Sequence, residues 1–267
     1  MMSSKLAAVT GASEGLGKEL ARQLAAEGYN LLIIARRPAL LQEIKADLEE
    51  KYGVQVEPIV CDLSKSEELK QVEDRLEKEE TLEVLVNNAG FGLGTSFPDV
   101  DPDKNEAMIR VHAIATMRLS RAALVPMCKQ NKGYVINVSS VAAFMYGANS
   151  AEYIATKAYI LSFSKSLQCD VRRYGVRIQA LCPGFTHTGF HSTESMQFFK
   201  KGDTPRWLWL SAEYVVKTSL RSIRRTSRVV CVPSLRYKLI LALICNPIGS
   251  ALIGYFSGPG RPSSPAV

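Results

Sequence analysis

Along the chain, short and nearly unbroken apolar runs alternate with longer stretches in which apolar residues recur every three or four positions. The run at residues 6–10 reads as a buried strand. Gly15 to Glu27 reads as a helix with Leu16, Leu20 and Leu24 on one face, closed by Gly28. A second strand, Leu31 to Ala35, follows at once, then a charged helical segment from Leu40 to Lys51, a strand at Gln55 to Cys61, a helix at Ser66 to Lys78 and a strand at Leu82 to Val86. The pattern continues with a helical stretch from Lys104 to Gln130, the strand Tyr134 to Val138, the helix Glu152 to Tyr174 and the strand Val176 to Leu181.

Strands that are apolar throughout, each followed by a helix, imply a mostly parallel sheet covered by helices on both faces. This is an α/β, doubly wound arrangement, and ligands then gather beyond the carboxyl ends of the strands. At 267 residues, 46% hydrophobic and 22% charged, the chain suits one large domain better than two ordinary ones. We expect residues 1–235 to form that domain, 236–256 an apolar C-terminal element, and 257–267, rich in Gly, Pro and Ser, a disordered tail.

Composition narrows the chemistry. Six cysteines stand far apart without a C-x-x-C pair, which points to a reducing, cytoplasmic setting, and the apolar run after MMSSK is too short for a secretion signal. The three histidines, His112, His187 and His191, lack cysteine or acidic neighbours at ligand spacing, so no metal is expected. The net charge of +7 is concentrated: from Tyr214 onward there are eight Lys or Arg and no acid. That segment suits an anionic membrane or an acidic substrate, or it is a solvated helix face. No motif of a nucleic-acid reader accompanies it, and no nucleic-acid partner is expected.

Three motifs carry chemistry. Thr10-Gly11-Ala12-Ser13-Glu14-Gly15-Leu16-Gly17 joins the first strand to the first helix, where small residues admit a pyrophosphate and the helix N-terminus favours its charge. Arg36-Arg37 ends the second strand, where an acid would accept the ribose 2′-hydroxyl of NAD; guanidinium groups there suit a 2′-phosphate instead. Ser139-Ser140 closes a later strand, and Tyr153 and Lys157 stand one turn apart on the next helix. A neighbouring ammonium is expected to lower the phenol's pKa toward neutrality.

With TGASEGLG, the CDL around Asp62, the NNAG of Asn87, Asn88, Ala89 and Gly90, NVSS, YIATK and PGFTHTGF, residues 5–235 resemble the short-chain dehydrogenase/reductase family, a single Rossmann-type domain. The nearest likeness is to the subgroup of bacterial DltE-like reductases and, more distantly, hydroxysteroid and long-chain 3-ketoacyl reductases. The resemblance implies an NADP(H)-dependent oxidoreductase interconverting a ketone and a secondary alcohol, with Tyr153 as acid/base, Ser140 on the carbonyl oxygen and Lys157 tuning Tyr153 and gripping the nicotinamide ribose. It places Asp62 and Leu63 beside the adenine, the Asn87–Gly90 turn under the cofactor, and Pro183, Gly184, Thr186 and Thr188 along the nicotinamide. Ser140, thirteen positions before Tyr153, has the family's spacing, which leaves Ser139 structural. One departure is His112, where the family has an asparagine supporting a proton relay; imidazole either replaces that amide or is a packed helical histidine.

Phe190, Met196, Phe198, Phe199, Trp207, Leu208 and Trp209 follow the nicotinamide loop and favour an apolar, lipid-like substrate, unless they are core or a contact between subunits of a homo-oligomer, dimer or tetramer. The uncharged run Leu239 to Phe256 is interrupted by Asn246, Pro247 and Gly249. It reads as a peripheral membrane anchor, a buried terminal element or an oligomer interface. The rival to an enzyme is an NADP(H)-binding regulator or membrane-surface scaffold with little turnover.

Overall fold

The structure is a computed structural model, and it describes residues 5–147, 149–189 and 204–244. His191, Phe190, Met196, Phe198 and Phe199 lie outside the described residues, as do the end of the C-terminal apolar run and the tail expected at 257–267.

Among the described residues, nine strands and eight α-helices follow in order: β1 (Leu6–Thr10), α1 (Gly15–Ala26), β2 (Asn30–Ala35), α2 (Pro38–Tyr52), β3 (Val56–Val60), α3 (Ser66–Glu77), β4 (Leu82–Asn87), α4 (Pro102–Ile109), α5 (Thr116–Gln130), β5 (Gly133–Val138), α6 (Ala151–Val171), β6 (Val176–Leu181), β7 (Thr186–His187), β8 (Leu210–Ser211), α7 (Ala212–Arg225), β9 (Val230–Cys231) and α8 (Leu235–Ile244). Seven strands form one parallel sheet in the order β3-β2-β1-β4-β5-β6-β9, and β7 pairs with β8 beside it. The alternating pattern read from the sequence is therefore the doubly wound sheet, with β1 and β4 adjacent at the point where strand order reverses.

Each central strand is apolar on both faces because each face has its own core. Ala7, Val9, Leu31 and Ile33 pack with Leu20, Leu24, Leu41, Val216 and Leu220 on one side; Leu6, Ala8, Leu32 and Ile34 pack with Leu69, Val72, Leu119 and Met127 on the other. The period-two alternation is present, but both phases of it are buried.

Two elements depart from the sequence expectation. The helical stretch from Lys104 to Gln130 is not uniform: between α4 and α5 the backbone widens into a π-helical segment, Arg110–Ala115, which carries His112. Nothing in the local pattern marks this widening, because π segments keep helical dihedrals and appear where tertiary contacts ask for them. The basic segment after Tyr214 is divided between elements. α7 buries Val215, Val216, Leu220 and Ile223, and its Arg224 pairs with Glu27 at the end of α1. The apolar run after Arg236 begins as α8, with Tyr237 and Leu241 turned inward. Among the described residues no helix is long and apolar enough to cross a membrane.

Candidate active site

The motif residues come together at the carboxyl edge of the sheet. The turn after β1 is held by β4: the Thr10 hydroxyl donates to the Val86 carbonyl (3.2 Å) and accepts the N–H groups of Asn88 (2.9 Å) and Ala89 (3.0 Å). The Asn88 side-chain amide returns bonds to the carbonyls of Thr10 (3.0 Å) and Gly11 (3.2 Å). Gly11 has φ +63, and a Cβ there would stand 2.9 Å from Ala89 Cα; a Cβ on Gly17 would stand 2.1 Å from the Gly11 carbonyl oxygen. The turn thus needs glycine both for its conformation and for the close approach of chain to chain. Asn87 serves differently. Its amide donates to Ser120 Oγ (3.0 Å) and Asn137 Oδ1 (2.8 Å), a buried polar link between β4, α5 and β5.

Glu14, the N-cap of α1, makes no side-chain cap among the described residues, and the N–H groups of the first turn open toward the crevice. Leu16, beside it, packs against the core. At the end of β2, Arg37 donates to Ser13 Oγ (2.9 Å) and pairs with Glu14 (3.0 Å). Arg36 is exposed and makes no ion pair among the described residues; its charge acts on Asp62. Burial by itself raises the Asp62 pKa, but hydrogen bonds from Ser64 and the charge of Arg36 outweigh it and keep the carboxyl ionised below its ordinary range. The Asp62 carboxylate accepts both the Ser64 N–H (3.0 Å) and its hydroxyl (2.7 Å), and Leu63 is buried in the core below.

Ser139 and Ser140 diverge at the end of β5. The Ser139 hydroxyl donates to the Lys157 carbonyl (2.7 Å), deep in the fold. The Ser140 hydroxyl accepts the Ala142 N–H (3.1 Å) and shares a hydrogen bond with the Tyr153 hydroxyl. Lys157 Nζ lies 5.6 Å from the centre of the Tyr153 ring and donates to the Val138 carbonyl (2.9 Å). Desolvation drives the Lys157 pKa down from 10.5 to about 8. For Tyr153, desolvation pushes the phenol above its ordinary value, and the bond to Ser140 only partly offsets this. The expected lowering by a neighbouring ammonium is therefore not what the protein alone produces, because burial penalises both charged forms.

His112 is fully buried beneath this group. Its Nδ1 is 2.9 Å from Thr156 Oγ1, and its Nε2 accepts the Phe91 N–H (3.1 Å). Desolvation, assisted by the charge of Lys157, holds the imidazole pKa well below its usual value. On the far side, the Pro183 carbonyl accepts the Val141 N–H (3.0 Å), the buried Thr186 hydroxyl donates to the Gly184 carbonyl (2.9 Å), and Thr188 packs over Gly15. The loop after β6 therefore reaches back across the crevice to the glycine turn. Trp209 stacks near His187 (5.0 Å) and meets Phe185 (5.5 Å); Leu208 is partly buried and Trp207 is exposed. Sequence reasoning passed over Tyr237, whose ring lies against Gly184. A lone tyrosine fifty-three positions away carries no local signal of that contact.

Among the described residues the arrangement has the donors a dinucleotide needs: a helix N-terminus without a side-chain cap for a pyrophosphate, the Arg36 guanidinium without an ion pair for a further phosphate, and a buried ammonium that donates to the Val138 carbonyl and keeps N–H groups for a sugar diol. The profile of a family described as short chain dehydrogenase matches residues 5–197. An NADP-dependent 3-hydroxy acid dehydrogenase of Schizosaccharomyces pombe is 33% identical over 192 residues, 71% of this chain and 74% of that protein. A very-long-chain 3-oxoacyl-CoA reductase of Coprinopsis cinerea is 28% identical, with 97% of this chain and 67% of that protein aligned. The solved structure of a short-chain dehydrogenase from Sphingobium yanoikuyae in complex with NADPH superposes with a TM-score of 0.82 at 26% identity, covering 97% of this chain and 98% of that one.

Proposed function

Because the chain belongs to the short-chain dehydrogenase family, we propose that it is an NADP(H)-dependent oxidoreductase that interconverts a ketone and a secondary alcohol, working as a reductase of an apolar, lipid-like carbonyl compound. When bound, NADP(H) supplies the hydride. Gly11, Ser13, Glu14, Gly15, Leu16 and Gly17 form the pyrophosphate turn, with Asn88 and Ala89 bracing it. Arg36 and Arg37 read the 2′-phosphate. Asp62 and Leu63 border the adenine, and Pro183, Gly184, Thr186 and Thr188 border the nicotinamide.

The protein's own chemistry is proton transfer. Tyr153 presents a protonated phenol to the carbonyl oxygen, and burial favours that neutral form before reaction. Ser140, whose one hydroxyl proton is given to the phenol oxygen in the free protein, turns that proton to the substrate's carbonyl oxygen as charge develops there. Lys157, cationic below about pH 8, stabilises the phenolate left behind and donates its free N–H groups to the nicotinamide ribose. His112 holds its proton at Nδ1 and keeps Thr156, between Tyr153 and Lys157, in place.

The observation that carries the reading is the hydrogen bond between Ser140 and Tyr153 at the same sheet edge as the glycine turn, with an internal ammonium one turn away. An apolar substrate is supported by the Phe185–Trp209 contact on the loop after β6 and by the likeness to a 3-oxoacyl-CoA reductase. The test is a panel of steroid, acyl and aromatic ketones read by NADPH consumption. Turnover that disappears in Tyr153→Phe supports the proposal; NADPH binding with no turnover across the panel favours a regulator instead.

Contact with a membrane surface belongs to the same reading. α8 is apolar on both sides, burying Tyr237 and Leu241 while leaving Leu235 69%, Leu239 59% and Leu243 69% exposed. Arg236 and Lys238 lie among them, suited to anionic headgroups. A homo-oligomer is supported by Ile109, Ile114 and Tyr159, large apolar side chains exposed around the joined α4–α5 stretch and on α6.

A further inference from the structure

We infer that Tyr237, on the C-terminal helix, is a positioning residue for the nicotinamide side of the cofactor site. This rests on the reading above that the loop of Pro183 to Thr188 borders the nicotinamide.

Gly184 does not need glycine for its backbone, since its φ is not positive. It needs the space. A Cβ at this position would stand 2.0 Å from Tyr237 Cζ and 2.1 Å from Cε2, so the phenol ring lies directly on the bare backbone of the loop. The Tyr237 hydroxyl then uses both of its functions. It accepts the N–H of Phe185 (2.9 Å) and donates to the carbonyl of Leu208 (2.9 Å). One buried side chain, 5% exposed, therefore joins three segments distant in sequence: the loop after β6, the approach to β8, and α8 itself.

The surroundings turn this junction into a ruler. The Leu210 N–H donates to the Phe185 carbonyl (2.9 Å), and Thr186 pairs with Leu210, so the loop is fixed to β8 on the residues next to the Tyr237 contact. Beside it, Arg236 donates to the Trp207 carbonyl (2.6 Å) and holds α8 to the same approach segment. Past the junction the chain needs only Thr186 and His187 to reach Thr188, which packs over Gly15 of the glycine turn. The height of the loop above the sheet edge is consequently set by a hydroxyl that lies outside the crevice. A residue of that kind acts on the cofactor through the loop and touches no reacting atom.

Two variants separate the bond from the packing. Tyr237→Phe keeps the ring on Gly184 but leaves the Phe185 N–H and the Leu208 carbonyl without their partner. Gly184→Ala keeps the hydroxyl but forces the ring off the loop. Binding of NADPH and of 2′,5′-ADP, which carries the 2′-phosphate but no nicotinamide, is measured by calorimetry for the wild-type protein and both variants. The expected result is NADPH affinity lowered roughly three- to tenfold in each, the size of one lost hydrogen bond, with 2′,5′-ADP affinity unchanged. Unchanged NADPH affinity in Tyr237→Phe overturns the inference, and so does an equal loss for both ligands, which marks general damage to the fold. Should Tyr237→Phe fail to fold, Gly184→Ala gives the same comparison. If wild-type protein binds 2′,5′-ADP and NADPH equally tightly, the assignment of the loop to the nicotinamide falls first, and the inference with it.

Discussion

His112 Nδ1 and Thr156 Oγ1 lie 2.9 Å apart, and that contact decides where the imidazole keeps its proton. The Thr156 hydroxyl already donates to the Tyr153 carbonyl (2.9 Å), so toward His112 it accepts; Nδ1 is therefore the protonated nitrogen. Nε2 is left to accept the Phe91 N–H (3.1 Å). The imidazole is neutral, satisfied on both sides, and ties the end of the Asn-Asn-Ala-Gly turn to the helix of Tyr153 and Lys157.

The pH dependence of stability follows from that. The folded-state pKa of His112 lies well below 6.5, so the unfolded chain binds more protons as pH falls through that value. The contribution is fully present above about pH 6.5 and is lost on acidification. We expect thermal unfolding to move to lower temperature below pH 6.5, and His112→Gln, which still donates and accepts, to flatten that part of the profile. His112→Phe, which leaves the Phe91 N–H without its acceptor and takes the donor from the Thr156 hydroxyl, should destabilise by about 1–3 kcal/mol. A wild-type profile no steeper than that of His112→Gln would contradict the assignment.

Lys157 follows the same sign at higher pH. Its pKa falls from 10.5 to about 8 on folding, so burial of the charge costs stability at neutral pH, and the cost is relieved as pH rises between these values. Lys157→Met is expected to stabilise the cofactor-free protein at pH 7 by on the order of 1–3 kcal/mol, seen as a higher melting temperature, and to remove the gain between pH 8 and 10. The same variant should lose ketone reduction and the stabilisation conferred by NADPH. Calorimetric scans with and without cofactor read all three effects.

Cofactor preference is expected to depend on Arg36 and Arg37 after β2 and on Glu14 of the glycine turn. Arg36→Ala with Arg37→Ala should cut the preference for NADPH over NADH by at least about tenfold. Glu14 pairs with Arg37 at 3.0 Å and competes with any phosphate for it. Glu14→Gln should therefore tighten NADPH binding while leaving NADH unaffected, with the gain fading at high salt. Equal changes for both nucleotides would remove Glu14 from this role.

Lipid contact is checked by flotation with phosphatidylcholine vesicles and with vesicles containing phosphatidylserine. Retention on the anionic vesicles, weakened by salt and abolished by Leu239→Glu, is the expected outcome. If that variant instead halves the mass measured by light scattering, the face joins two copies of the chain and the lipid reading is withdrawn.

The order of strands and helices was legible because it is written locally: a helix shows its buried face every three or four residues, and a strand covered on both faces is apolar throughout. The glycine turn, the paired arginines and the Tyr153–Lys157 spacing were legible for the same reason. The π segment around His112, the two-residue strand β9 and the ion pair of Arg224 with Glu27 were not, since each answers to residues far off in the chain.

The sequence by itself determined which groups stand at the edge of the sheet and in what order. Only the tertiary structure decided their charge states: Tyr153 is driven toward neutrality rather than ionisation, Lys157 is left only moderately basic, and His112 is held neutral. Spacing along a helix places a phenol near an ammonium, but the cost of a charge depends on how much water the rest of the fold removes from it, and that is a property of packing.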